Sequence, residues 1–557
     1  MVVGLTRRFQ VLKPTIIAGP WKGLITAVEP QSIPGNTVSA AENVWFKNGQ
    51  LMSSPGFGII GQLPKIITWK DYPEDPLTYD EGVIEIGETL KNIWHVEEVT
   101  RTNNTPVYFF FTKTDVYMGG SQYVKKITPE GFELRRTMPP TFVHVVTEID
   151  ELVLFTNGYS PVVWVFDLIF DRVARPLRNK QNRFHLPMTS AKYMTLFGDR
   201  TILGNLRMAE DELPHAIGWF GINGPLDTSF PTAGIMPLTD DPGEVTGFAR
   251  FRDFLVVMKS SAVYLLQKTY NANQPVRPVG RGRPGCFYPR SIVTLPNNVG
   301  VIYMSEDRQV CLFDGETVHD IGLVIQPTLN SLNITPYTFA SLDAENSLYR
   351  LIAGDRIATF NFKDNWWSTE KVDGFIVNVL DKNLEKGPFF IDMYQEGFLS
   401  KKINGLNIQI DNLHGVSSVK EPIYVTNSVR MKVDPRSVKR FFIKTAEFRF
   451  PKPTTISRLV LRVRSLDGGS ILIRHSLDNG GTWSPTTDIW NQPINRSTLV
   501  PYNFVATSNY FVFEIEFVGA SLVIHDAVAD IIVDNEQEHI TPLNIDGAAF
   551  SSTFTLT

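Results

Sequence analysis

The most regular arrangement of chemistry-bearing residues lies near the C-terminus, where Ser476, Asp478, Gly480 and Trp483 follow one another at short intervals. An aspartate in this position can accept backbone N–H bonds within a turn, and the glycine supplies the positive φ that such a turn needs. The tryptophan can then fold back over the hairpin as an apolar plug. The spacing therefore predicts a stabilising hairpin, and no neighbouring motif indicates a catalytic role.

Two sets of charged residues are candidates for contact with a partner. The basic set lies in a glycine- and proline-containing stretch and consists of Arg277, Arg281, Arg283 and Arg290. Guanidinium groups on such a loop bind phosphate or acidic surfaces, so we predict a partner-facing or DNA-proximal loop, with a plain solvated loop as the alternative. The acidic set is expected in loops that face a channel or tip, or simply solvent: Asp71, Glu74, Asp75, Asp240, Asp241 and Glu244.

Known signatures of catalytic and metal sites are absent from the sequence. Its nine histidines and two cysteines are scattered, and no His-Glu-x-x-His, Gly-x-Ser-x-Gly, phosphate-binding glycine loop or Cys-x-x-Cys occurs. Cys286 and Cys311 are too few for a disulfide framework or a four-ligand zinc site, and we expect them to be buried thiols. We therefore predict a protein that is not an enzyme and holds no cofactor or metal.

Length and composition predict a large folded chain. It has 557 residues, 43% of them apolar and 20% charged, with a formal net charge of −5. A protein that wraps DNA would carry a basic excess instead. No uninterrupted apolar run reaches ~18 residues, so the sequence predicts no membrane-spanning helix. The first ten residues become polar too early for a secretory signal.

The elements that must position these residues are predicted to be strands throughout. Aromatic and β-branched residues are frequent, and the best helix candidate is only the short run 39–43. Polar turns that precede paired apolar runs recur at 104, 150, 199, 253, 298, 346 and 387. Intervals of about 40–50 residues are typical of propeller blades, each a four-stranded antiparallel sheet. We predict an all-β fold with a propeller of about seven blades; stacked sandwiches are the alternative.

Three regions follow from these patterns. Residues 1–93 form an extended N-terminal segment that contributes to the platform or to ring contacts, and residues 94–425 form the propeller. Residues 426–557 contain strictly alternating runs such as 446–450, 459–463 and 510–517. Period-two alternation indicates strands with one buried face, so we predict a C-terminal β-sandwich platform of jelly-roll type.

Two segments resemble a known family. Residues 34–56, PGNTVSAAENVWFKNGQLMSSPG, are similar to the Ala-x-Asn-Val…Gly-x-Leu…Arg-Pro-Gly opening of the tail nozzle proteins of short-tailed phages. These proteins are also called tail tubular protein B or packaged-DNA stabilisation proteins. Residues 284–291, 300–305 and 313–315 resemble one of their blades. Ser54 stands where an arginine is common in the family, which puts any salt bridge of that arginine in doubt.

The resemblance implies a structural virion protein located in the tail and made in the host bacterial cytoplasm. It implies a homohexameric ring docked on the adaptor ring beneath the portal, with tail fibres or spikes as further partners. Packaged double-stranded DNA would pass through without sequence-specific contacts during genome ejection. Six copies at −5 carry about −30, and a lumen without net positive charge would not trap a polyanion.

Two other functions remain open from the sequence. The Ser476–Trp483 pattern matches the Asp-box hairpin familiar from sialidases, so a glycan-binding or sialidase-like propeller is the alternative. The third function is a scaffold that binds partner proteins of the host through the rim of the propeller. A sialidase would need several Asp-boxes at blade spacing and a set of arginines, whereas one copy occurs here.

Overall fold

The computed structural model is built almost entirely from β-strands. It describes residues 11–29, 32–54, 58–62, 64–69, 84–90, 95–104, 106–112, 115–119, 123–129, 142–146, 151–156, 163–168, 174–176, 190–208, 211–220, 233–335, 338–344, 346–371, 376–379, 389–392, 398–401, 440–465, 469–491, 497–519 and 522–533. The short helical elements are Pro289–Ser291, Pro296–Asn298, Leu323–Ile325 and α1 (Gln326–Ser331).

Seven strands come from the N-terminal segment: β1 (Val11–Ala18), β2 (Val38–Glu42), β3 (Val44–Lys47), β4 (Gln50–Ser53), β5 (Gly58–Gln62), β6 (Lys65–Trp69) and β7 (Ile84–Thr89). The predicted helix at 39–43 is wrong, since β2 pairs in antiparallel register with a strand of the platform and Asn43 follows it with a positive φ. The local preference of two alanines for helix is weaker than the hydrogen bonds and burial that the sheet offers.

The propeller begins with a six-stranded sheet of order β7-β6-β11-β10-β9-β8. Its further strands are β8 (His95–Thr100), β9 (Pro106–Phe111), β10 (Val116–Gly119) and β11 (Tyr123–Lys126). β6 joins β11 in parallel, and all the other pairs in this sheet are antiparallel.

Five four-stranded antiparallel sheets follow in chain order. The first of the five contains β12 (Phe142–Val146), β13 (Glu151–Phe155), β14 (Trp164–Asp167) and β15 (Arg175–Pro176), and the second contains β16 (Ser190–Phe197), β17 (Arg200–Met208), β18 (Asp211–Trp219) and β19 (Gly234–Pro237). The third contains β20 (Val245–Phe251), β21 (Phe254–Lys259), β22 (Val263–Lys268) and β23 (Val276–Gly282), and the fourth contains β24 (Val293–Thr294), β25 (Val301–Met304), β26 (Val310–Phe313) and β27 (Val318–Asp320). The fifth contains β28 (Phe339–Asp343), β29 (Leu348–Ala353), β30 (Arg356–Asn361) and β31 (Trp366–Lys371).

The last propeller sheet is completed by a strand from the other end of the chain. It contains β32 (Ile376–Val379), β33 (Phe389–Asp392) and β34 (Phe398–Lys401), and its fourth strand is β5, which pairs antiparallel with β34. β32 also contacts β8 of the first sheet, so the last sheet lies beside the first. The first strands of successive sheets contact one another as well, at β12–β16, β16–β20, β20–β24 and β24–β28. These contacts arrange the sheets around a common axis.

Each blade buries both of its faces, which explains why its strands read as continuous apolar runs. On β21, Leu255 and Val257 pack against the preceding sheet, whereas Val256 and Met258 pack against the following one. Successive side chains of a strand point to opposite faces, so every second residue serves a different core. The predicted all-β propeller is confirmed, with six regular four-stranded blades and one larger sheet, which differs slightly from seven equal blades.

Among the described residues, the platform is one hydrogen-bonded sheet of ten strands. Besides β1–β4 it contains β35 (Arg440–Thr445), β36 (Phe448–Ser465), β37 (Gly469–Ser476), β38 (Thr487–Trp490), β39 (Thr498–Gly519) and β40 (Leu522–Val533). β39 belongs to two layers, because its first half pairs with β36 and its second half with β35 and β37. Alternate apolar residues of both layers share one core with the β24–β27 and β28–β31 blades.

Candidate functional site

The predicted acidic and basic loops meet at the start of blade β20–β23. Asp241 lies in the connection from β19 to β20, and its carboxylate is fully buried. Its Oδ1 accepts a hydrogen bond of 2.8 Å from Arg283 Nε and a second from Nη2, and its Oδ2 accepts one of 2.8 Å from the Tyr264 hydroxyl. Arg281 Nη1 stands 3.5 Å from Oδ2. Asp241 therefore fixes two of the four predicted arginines to the blade.

A buried lysine completes this network. Lys259 ends β21 with no exposed surface, and its Nζ donates to the carbonyl oxygens of Leu238, at 2.5 Å, and Asp241. Burial lowers the pKa of Lys259. Burial acts in the opposite sense on Asp241, but the hydrogen bonds from Arg283 and Tyr264 outweigh it, so the pKa of Asp241 is lowered. The lowered pKa keeps Asp241 ionised opposite Arg281 and Arg283, whereas burial disfavours the charged form of Lys259, which is held by two backbone carbonyl oxygens.

Glu244 makes a second connection between blades. Its Oε2 accepts hydrogen bonds of 2.8 Å from Lys192 on β16 and 2.6 Å from Asn205 on β17. Asn205 adopts a positive φ of 55° at a register shift in β17 and also donates to the carbonyl oxygen of Val245. Glu244 therefore joins the β16–β19 blade to the first strand of the next one.

The remaining charged candidates have different surroundings. Arg277 lies exposed on β23 and donates to Gln267 Oε1 at 3.1 Å. Arg281 lies on the same strand, so both residues belong to a strand rather than a loop. Arg290 lies 5.1 Å from the Phe339 ring centroid, and burial lowers its pKa to about 10. Asp240 is exposed. The predicted acidic residues Asp71, Glu74 and Asp75 lie outside the described residues.

The hairpin at 476–483 is held by its own side chains. Ser476 Oγ donates to Asp478 Oδ1 at 2.7 Å and accepts from the Gly480 N–H at 2.8 Å. Asp478 also accepts from the backbone N–H and the hydroxyl of Thr482, both at 2.7 Å, which lowers the pKa of Asp478 to about 2. Gly480 has a φ of 88°. Every one of these polar groups is used inside the turn.

The hairpin lies over aromatic residues of β39. Trp483 is half-buried between two cations, with Lys444 Nζ 5.3 Å and Arg474 Cζ 4.8 Å from its ring centroid. His475 Nδ1 lies 2.8 Å from the Tyr502 hydroxyl, and its ring stacks on Phe504 at 4.5 Å. Trp483 is thus a cation–π partner of two strands, β35 and β37.

Residues 34–54, the described part of the segment that resembles nozzle proteins, lie at the junction of propeller and platform. Asn43 has a φ of 61°, its N–H donates to Thr369 of β31 at 2.7 Å, and its Oδ1 accepts from the Lys371 N–H at 2.9 Å. Its Nδ2 donates to the Arg440 carbonyl of β35 at 2.9 Å. Trp45 Nε1 donates to Glu370 Oε1 at 3.2 Å. One asparagine thus bonds to the last strand of a blade and to a strand of the platform.

A glycine of the same segment makes a close approach that no other residue permits. Gly49 has a φ of 71°, and a Cβ there would lie 2.6 Å from Pro20 Cβ. The Trp21 N–H donates to the Gly49 carbonyl at 2.8 Å. The β3–β4 turn is thereby packed onto the chain that leaves β1.

The histidine, cysteine and carboxylate side chains of the described residues do not cluster. These residues contain no group of three or more His, Cys, Asp or Glu side chains that could hold a metal ion. Cys286 and Cys311 are buried, and burial raises the pKa of each thiol to about 12. No helix in the described part of the chain is long and apolar enough to cross a membrane. What the site offers is mechanical connection between blades.

Sequence reasoning missed five residues of these networks, namely Asn43, Lys192, Asn205, Lys259 and Tyr264. Lys259 ends an apolar run, Tyr264 lies within another, and Asn43 is the last residue of the run that was predicted as a helix. A lysine directly after four buried apolar residues is the one signal that could have indicated a buried cation, since lysine is almost never fully buried without a partner.

The fold and these networks define a β-propeller protein with a platform joined to its rim. No protein-family model matches the chain, and no curated protein matches its sequence. Solved structures with a similar fold include Raptor of Chaetomium thermophilum (TM-score 0.36, 7% identity, covering 63% of this chain and 28% of that one). Others are the Pan2 WD40 domain of Neurospora crassa (TM-score 0.32, 10% identity, 62% and 97%) and a chain of the Mitotic Checkpoint Complex (0.33, 10%, 60% and 97%). The chain thus spans little more than a quarter of Raptor.

Proposed function

We propose that this protein is the tail nozzle of a short-tailed phage, a structural ring protein that retains packaged DNA and conducts it during ejection. One observation carries the proposal. The segment 34–56, which bears the resemblance to nozzle proteins, supplies Asn43 and Trp45 to the junction between propeller and platform. The residues that resemble the family are therefore the ones that join its two parts.

The electrostatics of the described residues support a conduit rather than a DNA-binding protein. Arg281 and Arg283 are held by the buried Asp241, and Lys192 is paired with Glu244. Cations neutralised in this way release few counterions on contact with phosphate, so the affinity for DNA is weak. With a net charge of −5 per copy, DNA in the lumen slides instead of adhering.

In this function the protein makes and breaks no covalent bond. The platform docks on the adaptor ring beneath the portal, and six copies surround the channel. Fibres or spikes attach to the outside of the assembled tail. The protein resides in the virion after synthesis in the host cytoplasm.

The mass of the purified full chain tests the proposal. Light scattering with size-exclusion chromatography should give a particle of six times 62.8 kDa, alone or after addition of an adaptor ring. Binding of a fluorescent 30-bp duplex, followed by anisotropy between 50 and 200 mM salt, should be weak with a shallow salt dependence, whereas neutralisation of 6–10 phosphates would change affinity about 10³–10⁵-fold. A chain that stays monomeric with the adaptor, or that hydrolyses a sialoside, would contradict the proposal.

A further inference from the structure

One layer of the platform ends in two strands that are each paired on one side. Along residues 527–533 of β40 its order is β1-β40-β36-β39, where β39 contributes its first half, and every neighbouring pair is antiparallel. The β3–β4 hairpin pairs with the same side of β40 further along, at residues 523–524. Among the described residues, β1 pairs with β40 and with no other strand, and residues 499–508 pair with β36 alone. The layer therefore presents two backbone edges that can accept another strand.

The β39 edge lacks the charges that usually protect such a strand. From Thr498 to Tyr510 no residue is charged, although 20% of the whole chain is. Leu499 is 62% exposed and Val505 is 76% exposed, on the same outward face. Natural edge strands are commonly guarded by lysine, and an unguarded edge of this length indicates a partner.

The opposite edge, β1, carries one lysine, Lys13, and also exposes an apolar side chain. On β1, Ile16 is 56% exposed, and its neighbour across the sheet is Val528 of β40. Pro14 and Pro501 remove one backbone donor from each edge, and proline is tolerated there because an edge strand has one unpaired side. Between two copies, contacts of Ile16 with Leu499 or Val505 would then supplement the backbone hydrogen bonds between the strands, which the prolines interrupt.

The strand directions decide how two copies can meet. Four antiparallel strands are an even number, so β1 and β39 run in opposite directions. When copies stand side by side in the same orientation, as in a ring, β1 of one copy lies antiparallel to β39 of the next. A heterologous contact of this kind closes into a ring without reversing any subunit.

We infer that β1 of each copy pairs with residues 499–508 of its neighbour, so that the platform layers form a continuous sheet around the ring. This inference rests on the proposed hexamer and names the surfaces that build it. The occupant of each edge is a second copy of this chain.

Cysteine crosslinking tests the contact. The two native cysteines are buried, so they contribute no background. A double variant with Ile16→Cys and Val505→Cys, treated with a short bis-maleimide, should give a ladder of dimers up to hexamers on a denaturing gel. Each single variant should stay at the monomer position, because residue 16 never meets another residue 16, nor 505 another 505.

A charge substitution provides the second measurement. Val505→Lys should shift the ring-to-monomer midpoint to at least tenfold higher protein concentration, whereas the control Tyr270→Lys, at a fully exposed hairpin, should not shift it. Crosslinking of the Val505→Cys single variant would indicate edge-to-edge dimers and overturn the inference. If the native protein is a hexamer but the double variant gives no ladder, the inference is wrong and the proposed function is not affected. If the chain forms no ring, both the inference and the proposed function are wrong.

Discussion

Removal of the charge on Asp241 should destabilise the propeller measurably. In Asp241→Asn the side chain keeps its shape but loses the charge that faces Arg283 at 2.8 Å, and one amide group now meets the Tyr264 hydroxyl. Hydrogen bonds to charged groups contribute about 1.5–3 kcal/mol each. Both arginines are more than half exposed, so solvent screening reduces their share, and we expect a total loss of about 1–3 kcal/mol.

The pH dependence of this loss identifies its cause. The pKa of Asp241 is lowered from its ordinary value of 3.8 in the folded protein. A carboxylate with a lowered folded pKa stabilises the fold above its unfolded pKa, and that stabilisation disappears as the pH falls through the folded value. The difference in free energy of unfolding between wild type and Asp241→Asn should therefore be constant from pH 5 to 7 and should become smaller below pH 3.8.

Urea unfolding followed by tryptophan fluorescence measures the loss of stability and its dependence on pH. An unchanged slope m shows that both proteins expose the same surface on unfolding. The matched control is Asp240→Asn, because Asp240 is the exposed neighbour in the same loop and should change stability by no more than about 0.5 kcal/mol. The reasoning is refuted if Asp241→Asn resembles this control at pH 7, or if its deficit is undiminished in acid.

Three further outcomes are expected. Asn43→Ala removes the side-chain hydrogen bonds to both the blade and the platform, and it places an alanine at a φ of 61°. It should lower the free energy of unfolding in urea by about 2–4 kcal/mol. The control Asn48→Ala, also at a positive φ, should lower it less. Asp478→Ala should speed protease cleavage within 476–486 at pH 7, and the difference from wild type should vanish as the pH falls from 3.8 through about 2, the pKa of the folded carboxyl. Cys286 and Cys311 should resist a thiol reagent at pH 8 in the native protein and both react in urea; rapid native labelling of either would contradict their burial.

Local patterns predicted the blades because each blade repeats the same physical problem. Runs such as 254–258 must bury both faces, which requires apolar residues without interruption, and turns must separate such runs at regular intervals. The hairpin at 476–483 was readable for the same reason, since its bonds connect residues at most four positions apart.

Contacts between distant parts of the chain left no comparable signal. Asp241 and Arg283 are 42 positions apart, and the Asn43 side chain reaches Arg440, 397 positions away. The arginines therefore read as a free basic loop, although a buried carboxylate holds two of them. The same limit applies to β2, where pairing with β35 outweighs the helix preference of its alanines.

The use of β5 to complete the last blade sets an order of events during synthesis. Gln62 pairs with Phe398, so the first member of that pair is translated 336 residues before the second. At about 5–20 residues per second, β5 leaves the ribosome roughly 20–70 s ahead of its partner. The circle of blades can be sealed only near the end of that interval, when the nascent chain's earliest propeller strand is finally captured.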